Sequence, residues 1–436
     1  VDSTSNVVAD TICRTAELGL AITGAMDAGD FTFIEATATA FADTCNSCAM
    51  SGRFRDHAYR TLIDLPIVGF PTKLRIRLPR YRCTNDNCAV KYFQAQLACA
   101  DPGKKVTHRV TRWILQRLAI DRMSISATAK ALGIGWDLTC QLALDMCHEL
   151  IYNDPTHLDN VQVIGVDEHK WSHNRNAHGA GFVTVIVDMT DHHHNTKRPA
   201  RLLDVVEGRS ADALRTWLAA RTPEFRRQVR IVAMDGFQGY ATASKELVPS
   251  ARRVMDPFHV VRLAGDKLTA CRQRLQREKY QRRGLTHDPL YKNRKTLLTT
   301  QKWLTEKQQA RLDELWVYDK DYGTLKMAWL AYQGIIDCYQ MSDKRKAKAQ
   351  MRDIIDALCK LPSTNKELAQ LGRSLDKRLS DVLAFFDVGV SNGPVEAING
   401  RLEHLRGIAL GFRNLTHYIL RCLIHSGQLT HKINAL

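Results

Sequence analysis

The stretch Val161-Gln162-Val163-Ile164-Gly165-Val166-Asp167-Glu168-His169-Lys170-Trp171 decides how this chain is read. It is almost continuously apolar up to Asp167, the pattern of a strand covered on both faces, and it carries a carboxylate to its tip. A second run, Arg230-Ile231-Val232-Ala233-Met234-Asp235, does the same with Asp235. A third acid, Glu396, opens a helical stretch that begins Ser391-Asn392-Gly393-Pro394-Val395. Carboxylates from two strand tips and a helix start can converge from distant positions to hold two divalent metals, and such a site does phosphodiester chemistry.

Working outward, Gly181–Met189 predicts a second strand, Arg201–Val206 a third, Val229–Met234 a fourth and Arg252–Met255 a fifth, with Ser210 capping a helix that runs to Ala220. Three strands, a helix and then alternating strand and helix is the order of a ribonuclease-H-like fold. In that order the first and fourth strands are neighbours, so Asp167 and Asp235 are expected side by side. Pro394 suits a first helical turn and Asn392 or Gly393 its cap. Glu168 and Asp188 compete with Asp167 for its role, and Glu403 with Glu396. Residues 265–384 show only helical patterning and are read as an all-helical insertion. Residues 262–311 hold fourteen Lys or Arg against four acids. Arg272, Arg274 and Arg277 are therefore expected to grip phosphates. Trp303, Trp316 and Trp329 are expected in the core.

Upstream, Cys45-Asn46-Ser47-Cys48 and Cys83-Thr84-Asn85-Asp86-Asn87-Cys88 are separated by 34 intervening residues. Two knuckles of this kind, each giving two thiolates from a tight turn, suit a tetrahedral structural zinc site. Between them Lys73-Leu74-Arg75-Ile76-Arg77-Leu78 alternates basic and apolar residues, a strand that turns Arg75 and Arg77 to solvent, where they can meet DNA. The other eight cysteines lack paired spacing and read as reduced and buried. His192-His193-His194 reads as a solvated loop. From Thr111 the pattern turns helical through Trp113, Ile114, Leu118 and Ile120. Ser124–Leu132, the turn Gly133-Ile134-Gly135 and Trp136–Ala143 then form a helix-turn-helix pattern, with Trp136, Asp137, Thr139 and Gln141 as candidate base-contacting positions.

The chain of 436 residues carries 62 Lys and Arg against 46 Asp and Glu, a net charge of +16 and a pI near 9.4. Such an excess suits a polyanionic partner. No apolar span of about 18 residues, lipidation motif or basic leader is read in the sequence, which points to a soluble, cytoplasmic, nucleoid-associated protein.

Together these residues resemble the bacterial insertion-sequence transposases of the ISL-three type, a DDE family. The phrases that carry the likeness are the cysteine knuckles, Leu65-Pro66, Gly165–Lys170, Met234-Asp235, Asp256-Pro257-Phe258-His259-Val260-Val261, Asn392–Asn399 and Gly411-Phe412-Arg413-Asn414. The resemblance implies Asp167, Asp235 and Glu396 as a catalytic triad holding two Mg²⁺ or Mn²⁺ ions. It casts Asp256 and His259 as an Asp-x-x-His element sharing a helix face near them. The implied reaction is cleavage at terminal inverted repeats and joining of 3′-hydroxyl ends to target DNA, by a homodimer or larger assembly on double-stranded DNA. The expected layout is an N-terminal segment (1–44), a four-cysteine zinc module (45–104), a helix-turn-helix domain (105–157), a catalytic core (158–264), the basic helical insertion (265–384) and the end of the core (385–436). A structure-selective nuclease and a non-catalytic DNA-binding regulator are the rival readings.

Overall fold

The computed structural model describes residues 3–39, 41–174, 176–194, 196, 198–318 and 322–436. The chain forms two compact units, Val1–His157 with Arg401–Leu436, and Leu158–Gly400.

Among the described residues the first unit is built on seven strands, β1 (Leu20–Asp27), β2 (Thr32–Ala38), β3 (Phe41–Ala42), β4 (Gly52–Ile67), β5 (Phe70–Cys83), β6 (Tyr92–Gln94) and β7 (Gln96–Leu97). The main sheet runs β1-β2-β5-β4, with β6 on β5 and β3 paired to β7. The alternation in β5 is realised: Leu74, Ile76 and Leu78 are buried while Arg75 and Arg77 face water. Their apolar partners include Leu20, Ile22, Ile34 and Leu62. β2 pairs parallel to β5 from Thr32↔Thr72 to Thr37↔Arg77. A boundary after residue 44 would therefore separate β1 and β2 from the sheet they complete. The first two strands are rich in Ala, Thr and Gly and give little alternation, so their membership is faint in the sequence.

Three helices follow, His108–Ala119, Ile125–Leu132 and Trp136–Cys147. The second ends on Gly133 at φ 62°, where a Cβ would also press to 2.8 Å from Pro71. Helices Leu415–Ser426 and Thr430–Ala435 pack on the first of these, and Leu415–Ser426 also on Trp136–Cys147. Lys432 reaches Asp154 at 2.5 Å. Residues 401–436 thus group with the first unit rather than with Leu158–Gly400, where the sequence reading put them; their apolar helix repeat does not say which partner it serves.

In the second unit β8 (Val163–Lys170), β9 (Phe182–Asp188), β10 (Arg201–Glu207), β11 (Ile231–Met234) and β12 (Arg252–Met255) form one sheet in the order β10-β9-β8-β11-β12. β8, β9 and β10 are antiparallel neighbours, and β11 is parallel to both β8 and β12. Ser210 caps Ala211–Ala219 by accepting from the Ala213 amide. Asp167 lies within β8 rather than at its tip, because the strand runs on to Lys170. Between residues 265 and 384 no strand occurs among the described residues. This helical part has its own core, including Leu268, Leu325, Ile335 and Ile355. Trp329 is buried there and Trp316 packs against it, with ring centroids 5.9 Å apart. Trp303 departs from expectation: it is 69% exposed, in a single three-residue turn that has no second face to bury. Among the described residues no helix is long and apolar enough to cross a membrane.

Candidate active site

β8 and β11 run parallel with Val166 opposite Met234, so Asp167 within β8 and Asp235 just past the end of β11 come to the same end of the sheet. Asp167 is 8% exposed. Its Oδ1 accepts from the Glu168 amide at 2.8 Å and its Oδ2 from Asn399 Nδ2 at 2.9 Å. Burial pushes its carboxyl up to about 7, and the charge of Asp235 acts in the same direction. Asp235 is raised as well, again chiefly by burial. Two desolvated acids side by side favour either a shared proton or a cation.

Asp256 follows β12 and is the N-cap of the helix Pro257–Tyr280, its Oδ2 accepting from the Phe258 amide at 3.0 Å and the His259 amide at 3.3 Å. The same oxygen lies 3.3 Å from His259 Nδ1. Its Oδ1 accepts from the Asn392 amide at 2.7 Å. Asp256 therefore precedes the helix instead of sharing a face with His259, and its oxygens are engaged in aiming other groups. His259 is raised first by its contact with Asp256, with Asp235 and Asp167 adding to the effect.

The helix Gly393–Ile408 brings in Glu396. Fully buried Asn392 holds its start, donating from Nδ2 to the Val166 carbonyl at 3.2 Å. Gly165 lets this helix approach, because a Cβ there would lie 2.3 Å from Val395 Cγ2. Ligand atoms of Asp256, His259 and Glu396 all lie within 4.8 Å of one another. Among the described residues the triple Asp167, Asp235 and Glu396 is not drawn that tight. The competing acids are engaged elsewhere: Glu168 with Arg209, Asp188 with Arg201 and Glu403 with Arg406.

A cavity of about 800 Å³ opens beside Asp235 and His259, lined also by Arg262, Lys377 and Arg378. Arg378 is buried, bonds Asp381 at 2.7 Å and reaches the Gly236 carbonyl at 3.3 Å. Of the cations expected to grip phosphate, Arg277 is exposed. The other two are not available. Arg272 is 6% exposed and donates to Gln276 at 3.1 Å, while Arg274 forms a two-point pair with Glu367 at 2.8 and 3.1 Å.

In the first unit Cys45, Cys48, Cys83 and Cys88 converge, all four sulfurs lying within 4.8 Å of one another. The closest approaches are Cys48–Cys83 at 3.5 Å and Cys45–Cys88 at 3.8 Å. Tyr81 stacks on Phe93 in the same small core. The Val90 amide donates to Cys88 Sγ at 3.4 Å and holds that thiol at about 7. Such a set of soft donors fits a tetrahedral cation. His192, His193 and His194 join no such cluster among the described residues.

Trp136, Asp137 and Gln141 are exposed, with Gln141 bonded to Asp145 at 2.6 Å. Thr139 is fully buried and returns its hydroxyl to the Gly135 carbonyl at 3.1 Å, so it cannot read a base. The helix turns Asp137, Gln141 and Asp145 outward on the side away from that residue. Arg75 pairs with Glu35 at 3.3 Å and lies over Tyr59, and Arg77 lies 3.2 Å from His57; both remain exposed. Sequence reading missed Asn392, Asn399 and Arg378 as site residues. The asparagines at the cap and at three residues beyond Glu396 were the available signal.

A profile of the ISL-three-type DDE family, described as transposase, matches residues 164–422. The transposases for insertion sequence element IS1557 of two Mycobacterium tuberculosis strains, CDC 1551 / Oshkosh and ATCC 25618 / H37Rv, are each 25% identical over 284 residues. The match takes in 58% of this chain, and the chain spans 58% of the length of those relatives. Among solved structures, the Drosophila P element transposase strand transfer complex is 14% identical, covering 74% of this chain and 92% of that one at a TM-score of 0.37, too loose a likeness to bear on the fold.

Proposed function

Because the chain belongs to the ISL-three-type insertion-sequence transposases, we propose that it is a DDE enzyme that cuts DNA at terminal inverted repeats and joins the 3′-hydroxyl ends to target DNA. The observation that carries this reading is the placing of Asp167 in β8 beside Asp235, which directly follows the parallel β11, with Asn399 of the Glu396 helix bonded to Asp167. The sheet order and the later helix support a ribonuclease-H-like core. The exposed start of Trp136–Cys147, behind a left-handed glycine, supports a helix-turn-helix reading.

Asp167, Asp235 and Glu396 would hold Mg²⁺ or Mn²⁺, whose oxygen-donor preference they meet. The bound ions would supply Lewis acidity at the phosphodiester and a more acidic attacking water. Asn399 fixes the rotamer of Asp167. Asp256 engages Nδ1 of His259 and leaves Nε2 for a ligand or a substrate phosphate. Exposed Arg262 and Lys377 draw the scissile strand past the acids, Arg378 holds the Gly236 turn that follows Asp235, and Arg277 extends that track. Arg75, Arg77, Trp136 and Gln141 contribute to duplex binding, while the four cysteines hold a structural Zn²⁺. Two ends must be kept together, which calls for a dimer or larger assembly on DNA, acting at the nucleoid.

The test is a Mg²⁺- or Mn²⁺-dependent cleavage and joining assay on the element's own ends, with Asp167→Asn, Asp235→Asn and Glu396→Gln beside wild type. Joined products are expected from wild type and from none of the variants. Cleavage without joining supports a nuclease, and binding without chemistry supports a regulator.

A further inference from the structure

Arg421 sits on the helix Leu415–Ser426 and is only 6% exposed. Its guanidinium makes no hydrogen bond or ion pair among the described residues, and Nη1 is completely enclosed. The ionisable groups acting on it are the thiols of Cys140, Cys147 and Cys422, groups ordinarily neutral, and burial raises Cys140 and Cys422 further; no carboxylate is among them. A cation moved out of water without a partner is costly, and nature normally supplies the partner.

Arg421 lines a cavity of about 660 Å³ together with Ser124, Trp136, Arg413, Asn414 and His417. Three helices begin there: Ile125–Leu132 behind Ser124, Trp136–Cys147, and Leu415–Ser426 behind Asn414. The first amides of a helix have no partner within it, and the helix dipole makes that end positive. Ser124 and Asn414 already take one amide each, from Ala127 and His417, whereas no side chain caps Trp136–Cys147. That uncapped helix start, an exposed Arg413 and a desolvated Arg421 all favour one kind of occupant, an oxyanion.

We propose that this cavity is a phosphate-binding site in which Arg421 and Arg413 pair with a backbone phosphate of bound duplex DNA. Only the source of the phosphate rests on the DNA-acting reading; the site itself rests on the geometry. The DNA source is favoured because Trp136, at the cavity rim, also opens the helix with the exposed face, and the chain carries a charge of +16.

The experiment uses the full chain, as wild type, Arg421→Met and Arg413→Gln. Melting is compared in sodium phosphate and sodium chloride at equal ionic strength, and affinity for a duplex carrying the element's ends is followed against salt. Phosphate is expected to raise the wild-type melting temperature by about 3 °C relative to chloride. Arg421→Met should lose that response without melting lower in chloride, since it removes an unpaired buried charge. Its log–log salt slope should fall by about 0.9, the share of one phosphate contact. Arg413→Gln should weaken both responses and decides the matter if Arg421→Met does not fold. A wild type indifferent to phosphate, or an Arg421→Met that keeps the response but melts lower, overturns the site. A lost phosphate response with an unchanged salt slope overturns the DNA source in favour of free phosphate. A phosphate response in a wild type that binds no duplex keeps the site and overturns the DNA-acting reading.

Discussion

Asn399 donates to Asp167 Oδ2 at 2.9 Å and lies 3.4 Å from the Glu168 carbonyl, so one amide fixes both the carboxylate and the strand beneath it. Asn399→Ala should leave the fold intact and raise the divalent-metal concentration needed for half-maximal cleavage by about 10–100-fold, the usual cost of losing a group that orients a ligand. An unchanged metal dependence would refute the role. His425 offers a second residue-level test. Burial, reinforced by Arg122, Arg421, His404 and Arg401, holds it at about 4, and its Nδ1 lies 3.3 Å from Ser426 Oγ. The unfolded chain takes up this proton near the ordinary value of about 6.5. Stability is therefore full above that pH, declines as pH falls and levels off near 4. Between pH 7 and pH 4.5 wild type should lose about 2–3 kcal/mol more than His425→Gln, by urea unfolding. Equal losses would remove His425 as the cause.

At the scale of elements, the start of the Glu396 helix is held by two devices. Asp256 caps Pro257–Tyr280 and also accepts from Asn392; Gly165 opens the space that Val395 fills. Asp256→Ala should cost about 2–4 kcal/mol, one helix cap plus one buried amide left without an acceptor, measured by denaturant midpoint. Gly165→Ala should cost about 1–3 kcal/mol by overpacking and reduce cleavage by displacing Glu396. Cys83→Ser should abolish zinc stoichiometry, measured by metal analysis, and lower the melting temperature of the first unit. Zinc retained at one per chain would remove the four-cysteine site.

Elements of this kind were legible to different degrees. The strands of the second unit could be read because burial on both faces leaves continuous apolar runs, each ended by a polar residue. The cysteines could be read because knuckle spacing is local. Thr139 was misplaced because a short hydroxyl residue bonds its own helix as readily as it faces outward. Arg272 and Arg274 were misread because their partners decide their roles, and Glu367 lies 93 residues from Arg274. Asn399 and Asp167 are 232 residues apart, a separation over which local patterning carries no signal.

At the scale of the molecule, the first unit is discontinuous, drawing on residues 1–157 and 401–436. Tyr418, Leu420, Cys422 and Leu423 are buried on the helix Leu415–Ser426, and Cys147 Sγ lies 3.5 Å from the Leu420 carbonyl. Deleting residues 1–155 would strip this apolar face of its partners. The fragment should bind a hydrophobic dye and associate on size exclusion, whereas the full chain should do neither; a monodisperse fragment would show that the helix does not need the first unit. The same discontinuity sets an order on synthesis. Helices His108–Ala119 and Trp136–Cys147 leave the ribosome long before the segment that covers them, so the nascent first unit stays incomplete until Leu415–Ser426 has emerged. By then the whole of Leu158–Gly400 has been made. A chain released early thus carries its cysteine knuckles and basic strand but no finished helical layer.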